Sequence, residues 1–378
     1  MNFENLKNFM EYMAAEKTPG NAINVYWDGK LAFKYACGVS DIDTKSPLTG
    51  DEYFNIYSCS KITTVTAGMQ LLERGEFLLT DPLCEYIPEY KNMYIKNKDG
   101  ILTEAKNKIT IGDLFTMTSG MTYELESDAI KKAKELTGGK MDTVTVVKAL
   151  ACEPLSFEPG THWQYSLSHD VLAGLISVIS GKKFRDYVQE NIFAPLDMKE
   201  TVFHHTEKTK KNTMSQYEYH TENNKFVNVG KNVARGYVMG EEYDSGGAGL
   251  TSKVHDYAKL IAALANRGMG LTGERILSEY SVELMRTNRL NNVQLRDFNW
   301  NTLAGCGYGL GLRTHINKVE SGIISNYGES GWGGAAGATA FFDPDINLAV
   351  FYTQHTLNQK DEFSEPKLRN VVYSCLNT

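Results

Sequence analysis

Residues 54–77, FNIYSCSKITTVTAGMQLLERGEF, pass from a β-prone run into a helical pattern and place Lys61 three residues after Ser58. Residues three apart share a helix face, so Ser58 and Lys61 can meet while Cys59 and Ser60 point elsewhere. Leu71 and Leu72 lie near the end of the helical pattern, and Gly75 stands where it should stop. A serine hydroxyl is a weak nucleophile until a base takes its proton. A lysine, with a solution pKa of about 10.4, is such a base only where burial or neighbouring positive charge disfavours the ammonium. A helix N-terminus further favours negative charge on the serine oxygen. By itself the pair also reads as an N-cap serine with a snorkelling lysine.

The same spacing recurs at Ser180 to Lys183 and at Ser364 to Lys367. Ser180-Gly181 reads as a helix C-cap, and Ser364 as an N-cap with Pro366 in the first turn. Only Ser58 follows a strand-like run and precedes an apolar helix.

Before this stretch, MNFENLKNFMEYMAAEK reads as an amphipathic helix, and Asp28-Gly29 in NAINVYWDGKLAFKYACGVS is a strong hairpin signal. From about Asp81 to Asn228 the patterns are mainly helical, as in TIGDLFTMTSG, DAIKKAKELTGG, TVTVVKALAC, HDVLAGLISVISG and FRDYVQENIF. GGAGLTSKVHDYAKLIAALANRG then gives a turn and a helix, strand signals return in GYGLGLRTHI and ATAFFDPDINLAVFYTQ, and SEPKLRNVVYSCLN closes the chain as a helix. These patterns predict an α/β (α+β) chain. An antiparallel sheet flanked by helices comes from residues 1–80 and 229–378, with a mainly helical unit, 81–228, inserted and a cleft between the two.

Two further segments bear on that cleft. In EPGTHWQYSLSHDVLAGLISVISG, Tyr165 lies between a Pro-Gly turn and a helix start, where an exposed phenol could relay protons if a cation such as Lys61 lowered its pKa. As one of 21 tyrosines it could equally pack under a loop. In NYGESGWGGAAGATAFF, glycines before a strand let backbone approach a substrate and aim an N–H at an oxyanion. A bulge or tight sheet crossing would also use them.

With this order of motifs, the chain resembles the serine hydrolases of the class C β-lactamase and penicillin-binding type, including the family VIII carboxylesterases. The likeness runs through WDGKLAFKYACGVSD, FNIYSCSK, LLTDPLCEYIPEY, ITIGDLFTMTSGMTY, FEPGTHWQYSLSHDVLAGLISVISG, SGGAGLTSKVHDYAKL, GYGLGL and GWGGAAG. It implies a β-lactamase/transpeptidase-like fold, with Ser58 as the acylated nucleophile, Lys61 as its proton partner and Tyr165 as general base and acid. The backbone N–H groups of Ser58 and Ala335 would form the oxyanion hole, and Trp332, Gly333 and Gly334 would form the substrate-binding strand. Two positions depart from the family pattern. Leu167 stands where Tyr-x-Asn would supply an amide beside the substrate, and Tyr90-Lys91-Asn92 comes too soon after Ser58 to replace it. Trp332 stands where many relatives have lysine or histidine for a substrate carboxylate. The resemblance therefore implies a carboxylesterase on small or neutral acyl esters with weak or no β-lactam hydrolysis. A β-lactamase or DD-peptidase, an acyltransferase and a silent ligand-binding relative are the alternatives.

Composition excludes other classes. A formal charge of -7, from 39 Lys and Arg against 46 Asp and Glu, argues against nucleic acid, which needs clustered cations. Lys208, Lys210 and Lys211 read as a solvated loop. Cys37, Cys59, Cys84, Cys152, Cys306 and Cys375 are scattered, as reduced thiols of a cytoplasmic protein would be. The N-terminus lacks a signal-peptide pattern, and VLAGLISVIS is about half a membrane span. No G-x-S-x-G, H-E-x-x-H or G-x-x-x-x-G-K-[ST] motif occurs, and Gly246-Gly247-Ala248-Gly249 reads as a turn. Neither a metal nor a cofactor is expected; the partner is a small-molecule ester or amide.

Overall fold

A computed structural model of the chain describes residues 1–231 and 238–376. Its main sheet has eight strands: β1 (Gly20–Trp27), β2 (Lys30–Asp41), β3 (Ser46–Pro47), β4 (Cys306–Tyr308), β5 (Arg313–His315), β6 (Ser330–Gly333), β7 (Thr339–Asp343) and β8 (Leu348–Thr353). The spatial order is β4-β5-β6-β7-β8-β1-β2-β3, with neighbouring strands antiparallel. Asp28 and Gly29, with φ of 51° and 69°, make the two-residue turn that sets β1 against β2. β1 pairs on its other side with β8, Ala22 opposite Thr353 and Trp27 opposite Leu348, so the first and the last strands of this sheet in chain order are neighbours in its interior.

The period of two along these strands divides the core. Ile23, Val25, Phe341, Leu348, Val350 and Tyr352 face the N-terminal helix (Glu4–Glu16) and the C-terminal helix (Ser364–Cys375), where Leu6, Met10, Leu368 and Val372 cover them. Ala340, Phe342, Ala349 and Phe351 face the opposite core, with Tyr257 and Leu260 of the helix Val254–Ala265. The helix Ser60–Glu73 lies inside that second core, and every residue from Ser60 through Leu71 is buried. A helix buried all round cannot show a strong amphipathic period, which is why its sequence mixes Thr, Val, Ala and Gly.

Residues 81–228 contribute the helices Ile111–Thr116, Asp128–Leu136, Thr143–Leu150 and Ser168–Ser180, which close over the outer side of the Ser60 helix. They also carry strands that helical patterning does not announce. Tyr94–Lys96 pairs with Leu102–Glu104, and Tyr217–His220 with Lys225–Asn228. The latter hairpin continues through Tyr217 onto Thr356–Leu357, so backbone pairing ties this segment to the end of the chain. At Gly181, with φ of 67°, the helix ends in the expected left-handed cap. The C-terminal helix starts differently from expectation. Phe363 is its N-cap and Ser364 its first residue, and the Ser364 hydroxyl donates to Gln359 Oε1 at 3.3 Å instead of capping. The last residue of the expected helix, Asn377, lies outside the described residues.

Candidate active site

The short strand Phe54–Asn55 pairs with Thr251–Ser252 and delivers the chain into a 3₁₀ turn, Tyr57–Cys59, from which the Ser60 helix departs. Ser58 sits at the centre of that turn. The preceding residue, Tyr57, has φ of 48°, a conformation that costs a bulky residue on the order of 1–3 kcal/mol. Its buried ring and its hydroxyl, donating to Gln216 Oε1 at 2.6 Å, hold the turn against that strain. The chain beyond β6 presses on the same turn. A Cβ on Gly334 would stand 2.3 Å from the Ile56 carbonyl oxygen, so only glycine allows this approach.

Lys61 is fully buried. Its Nζ donates to the Gly247 carbonyl at 2.8 Å and to Ser58 Oγ at 3.4 Å, and lies 4.6 Å from the centre of the Tyr165 ring. Gly247 belongs to a turn organised by buried Asp170, whose Oδ1 accepts from Tyr243 Oη at 2.5 Å, Ser245 Oγ at 2.7 Å and the Gly247 N–H at 3.1 Å. Asp170 Oδ2 has no hydrogen-bond partner among the described residues. A Cβ on Gly247 would meet that oxygen at 2.3 Å and Lys61 Nζ at 3.2 Å, so Gly247 lies between carboxylate and ammonium. His169, next to Asp170, is buried with Nε2 on the Phe115 carbonyl. Burial and then the charge of Lys61 push its imidazole down to about 3, so it is neutral at ordinary pH.

Tyr165 donates its hydroxyl to Ser58 Oγ at 2.6 Å. Its ring is the middle member of a stack, with Tyr123 at 5.5 Å and 7° on one side and Trp332 at 5.8 Å and 21° on the other. Trp300 meets it edge-on at 5.4 Å. Such pairs contribute roughly 0.5–1.5 kcal/mol each beyond burial and fix ring orientation. Burial, followed by the proximity of Tyr165 and Asp170, pushes the Tyr123 phenol well above its ordinary pKa, so Tyr123 stays protonated.

Ser58, Tyr165, Trp332, Gly333, Gly334 and Ala335 line one cavity of about 860 Å³. Lys61 reaches Ser58 from the buried side, and Ala335 lines the cavity together with Ser58. Trp332, only 3% exposed, lines the cavity and also backs the Tyr165 ring. Leu167 requires a correction. Its side chain is 2% exposed and points into a separate small cavity with Met121, Leu150 and Leu155, because the chain turns inward at the start of the helix Ser168–Ser180. The polar side chain close to Lys61 is instead Asp170, whose sequence position carries no signal for that role. Tyr123, Trp300, Arg313 and Glu365 were likewise not singled out from the sequence, since each reaches the site from a segment read only as helix, loop or strand. Among the described residues no three His, Cys, Asp or Glu side chains gather as a metal site.

Ser58 on its turn, a buried lysine and a tyrosine meet between a helical cap and an antiparallel sheet, and comparison with known proteins gives the class. The chain matches the Beta-lactamase family over residues 6–373 and belongs to it, with the β-lactamase/transpeptidase-like fold. It is 30% identical over 343 residues to Protein Rv1367c of Mycobacterium tuberculosis, covering 88% of this chain and 84% of that one. It is 25% identical to Esterase EstB of Burkholderia gladioli over 377 residues, 92% and 88% of the two chains. The solved structure of EstCE1, described as a hydrolase with promiscuous acyltransferase activity, superposes with a TM-score of 0.79 at 22% identity over 98% of both chains. No helix among the described residues is long and apolar enough to cross a membrane.

Proposed function

We propose that this protein is a serine carboxylesterase acting through an acyl-enzyme on Ser58, with a preference for small or neutral acyl groups. The observation that carries the reading is the contact of Ser58 Oγ with Tyr165 Oη at 2.6 Å and Lys61 Nζ at 3.4 Å on the wall of an 860 Å³ cavity. In the resting contact Tyr165 Oη and Lys61 Nζ both donate to Ser58 Oγ, so Tyr165 must enter the step deprotonated: Ser58 Oγ attacks the ester carbonyl as its proton passes to Tyr165 Oη. The oxyanion forms against the N–H groups of Ser58 and Ala335. Tyr165 returns the proton to the alkoxide as the C–O bond breaks, and the alcohol leaves. Water then attacks the acyl-Ser58 ester, giving up its proton by the same route, and the acid and free Ser58 are released. Lys61 stabilises negative charge on Tyr165 and Ser58 throughout, at a site from which water is excluded on the buried side.

The esterase named among the relatives supports this reading. The aromatic lining of Tyr165, Trp300 and Trp332 favours neutral, apolar acyl chains. The test is hydrolysis of p-nitrophenyl butyrate by the wild type and by Ser58→Ala. Turnover that disappears with Ser58 is expected; equal turnover by both proteins overturns the assignment. Adding a primary alcohol to the assay separates hydrolysis from acyl transfer, since a transferase yields the new ester in place of the acid.

A further inference from the structure

The Ser58 cavity contains an ion pair that the proposed reaction does not use. Arg313 of β5 and Glu365, in the first turn of the C-terminal helix, both line it, and Arg313 Nε donates to Glu365 Oε1 at 2.9 Å. Behind them, Arg313 Nη1 and Nη2 donate to the two oxygens of Glu329 at 3.1 and 3.0 Å, and Arg369 Nη2 donates to Glu329 from the other side. Arg313, Glu329 and Arg369 are fully buried. Two guanidiniums thus face two carboxylates, and the group is neutral only with Glu365 counted.

The two carboxylates differ in what they face. Glu329 is enclosed by both arginines. Burial opposes its charge, but Arg313 and Arg369 outweigh that and hold its pKa at about 2. Glu365 is part-exposed to the cavity, and a Cβ on Gly333 would lie 3.2 Å from its Oε2. Gly333 follows Trp332 on β6 and precedes Gly334 and Ala335. A substrate lying along this edge with its carbonyl at Ser58 would bring a neighbouring group to Glu365. Any carboxylate in that group would find the guanidinium already paired and a second carboxylate, exposed Glu362, on the same wall.

We propose that Glu365 is a built-in carboxylate that occupies the Arg313 guanidinium and so excludes substrates bearing a carboxylate near the reacting carbonyl, making it the specificity-determining residue for neutral substrates. The inference rests on the acyl-enzyme reading of Ser58 and supplies its substrate class. Rejection works by leaving the incoming charge unpaired beside a like charge, and replacing Glu365 frees the Nε side of the Arg313 guanidinium for an incoming carboxylate. Arg313 keeps its bidentate partner Glu329 in such a variant, so the arginine is not orphaned.

The experiment compares mono-p-nitrophenyl adipate with p-nitrophenyl adipamate, which differ only in carboxylate against amide, on the wild type, Glu365→Gln and Glu365→Ala. The wild type is expected to disfavour the anionic ester by about tenfold or more in kcat/KM, and the anionic-to-neutral ratio to rise about tenfold in both variants. Equal use of the two esters by the wild type overturns the proposal whether or not the variants fold. An unchanged ratio in variants that unfold at the wild-type temperature also overturns it. If the wild type hydrolyses neither ester, the esterase reading fails separately. Calorimetric titration of benzylpenicillin into Ser58→Ala and Ser58→Ala/Glu365→Ala then decides the matter: tighter binding only to the double variant supports masking of Arg313, and equal binding overturns it.

Discussion

The Tyr165 hydroxyl rests 2.6 Å from Ser58 Oγ although 107 positions separate the two residues in the chain. The contact depends on the stack of Tyr123, Tyr165 and Trp332, which fixes the ring, and on the strained turn at Tyr57, which lifts Ser58 to meet it. Removing only the hydroxyl leaves the stack in place. Tyr165→Phe is therefore expected to lower kcat for p-nitrophenyl butyrate by roughly 10²–10⁴-fold. The stability change should stay near 1 kcal/mol, the loss of one hydrogen bond. Steady-state kinetics beside a thermal melt checks both, and a kcat within twofold of the wild type removes Tyr165 from the proton path.

Gly247 separates Asp170 from Lys61, and a methyl group there would overlap the Asp170 carboxylate oxygen at 2.3 Å. Neither neighbour is the free end of an exposed side chain, since Asp170 is held by three donors and Lys61 by the Gly247 carbonyl. Gly247→Ala should displace the turn and with it Lys61. The expected destabilisation is about 1–3 kcal/mol, with a fall in kcat larger than the change in melting temperature alone explains. Urea titration and initial rates measure the two effects, and a fully active Gly247→Ala enzyme would show that the Lys61 contact is dispensable.

His355 links acidity to the segment that leads into Ser58. Its Nε2 accepts the Asn55 N–H at 3.2 Å and its Nδ1 faces the Met214 carbonyl at 3.0 Å, an arrangement that assigns the neutral ring with the proton on Nδ1. Burial, the largest cause, pushes its pKa down to about 4 from an ordinary value near 6.5. In the unfolded chain His355 takes a proton as pH falls through about 6.5, but in the folded chain only near 4. Its contribution, roughly 3 kcal/mol, is therefore present above pH 6.5 and lost as pH falls from there towards 4. The urea midpoint is expected to drop over that range, and His355→Gln to flatten the drop. Parallel pH dependences for the two proteins would exclude His355 as a source of acid sensitivity.

How much of this was legible in the sequence follows from how local each feature is. The Asp28-Gly29 turn is readable because its two residues alone supply the positive φ a tight hairpin needs. The strand signals in ATAFFDPDINLAVFYTQ marked β7 and β8, and the spacing of Ser58 and Lys61 marked the turn that joins them, because both depend on residues a few positions apart. The hairpins at Tyr94–Glu104 and Tyr217–Asn228 escaped, since short strands in a polar, mainly helical stretch gain their definition from pairing partners. Leu167 was misjudged for a related reason: the family spacing gives its position along the chain, but the inward turn at the start of its helix decides which cavity the side chain enters.

Local patterning thus carries most of the order of elements, the serine and lysine on one turn, the tyrosine before its helix and the glycine-rich strand. Each is a matter of local backbone preference and the period of burial. Long-range packing is what brings Asp170 and Gly247 to Lys61, sets Tyr123 and Trp332 against Tyr165, and turns Glu365 to the cavity while paired with Arg313. Those contacts join residues tens to hundreds of positions apart. They form because the sheet brings both ends of the chain together around one buried helix, and no local pattern encodes which distant side chains will then share the same few ångströms.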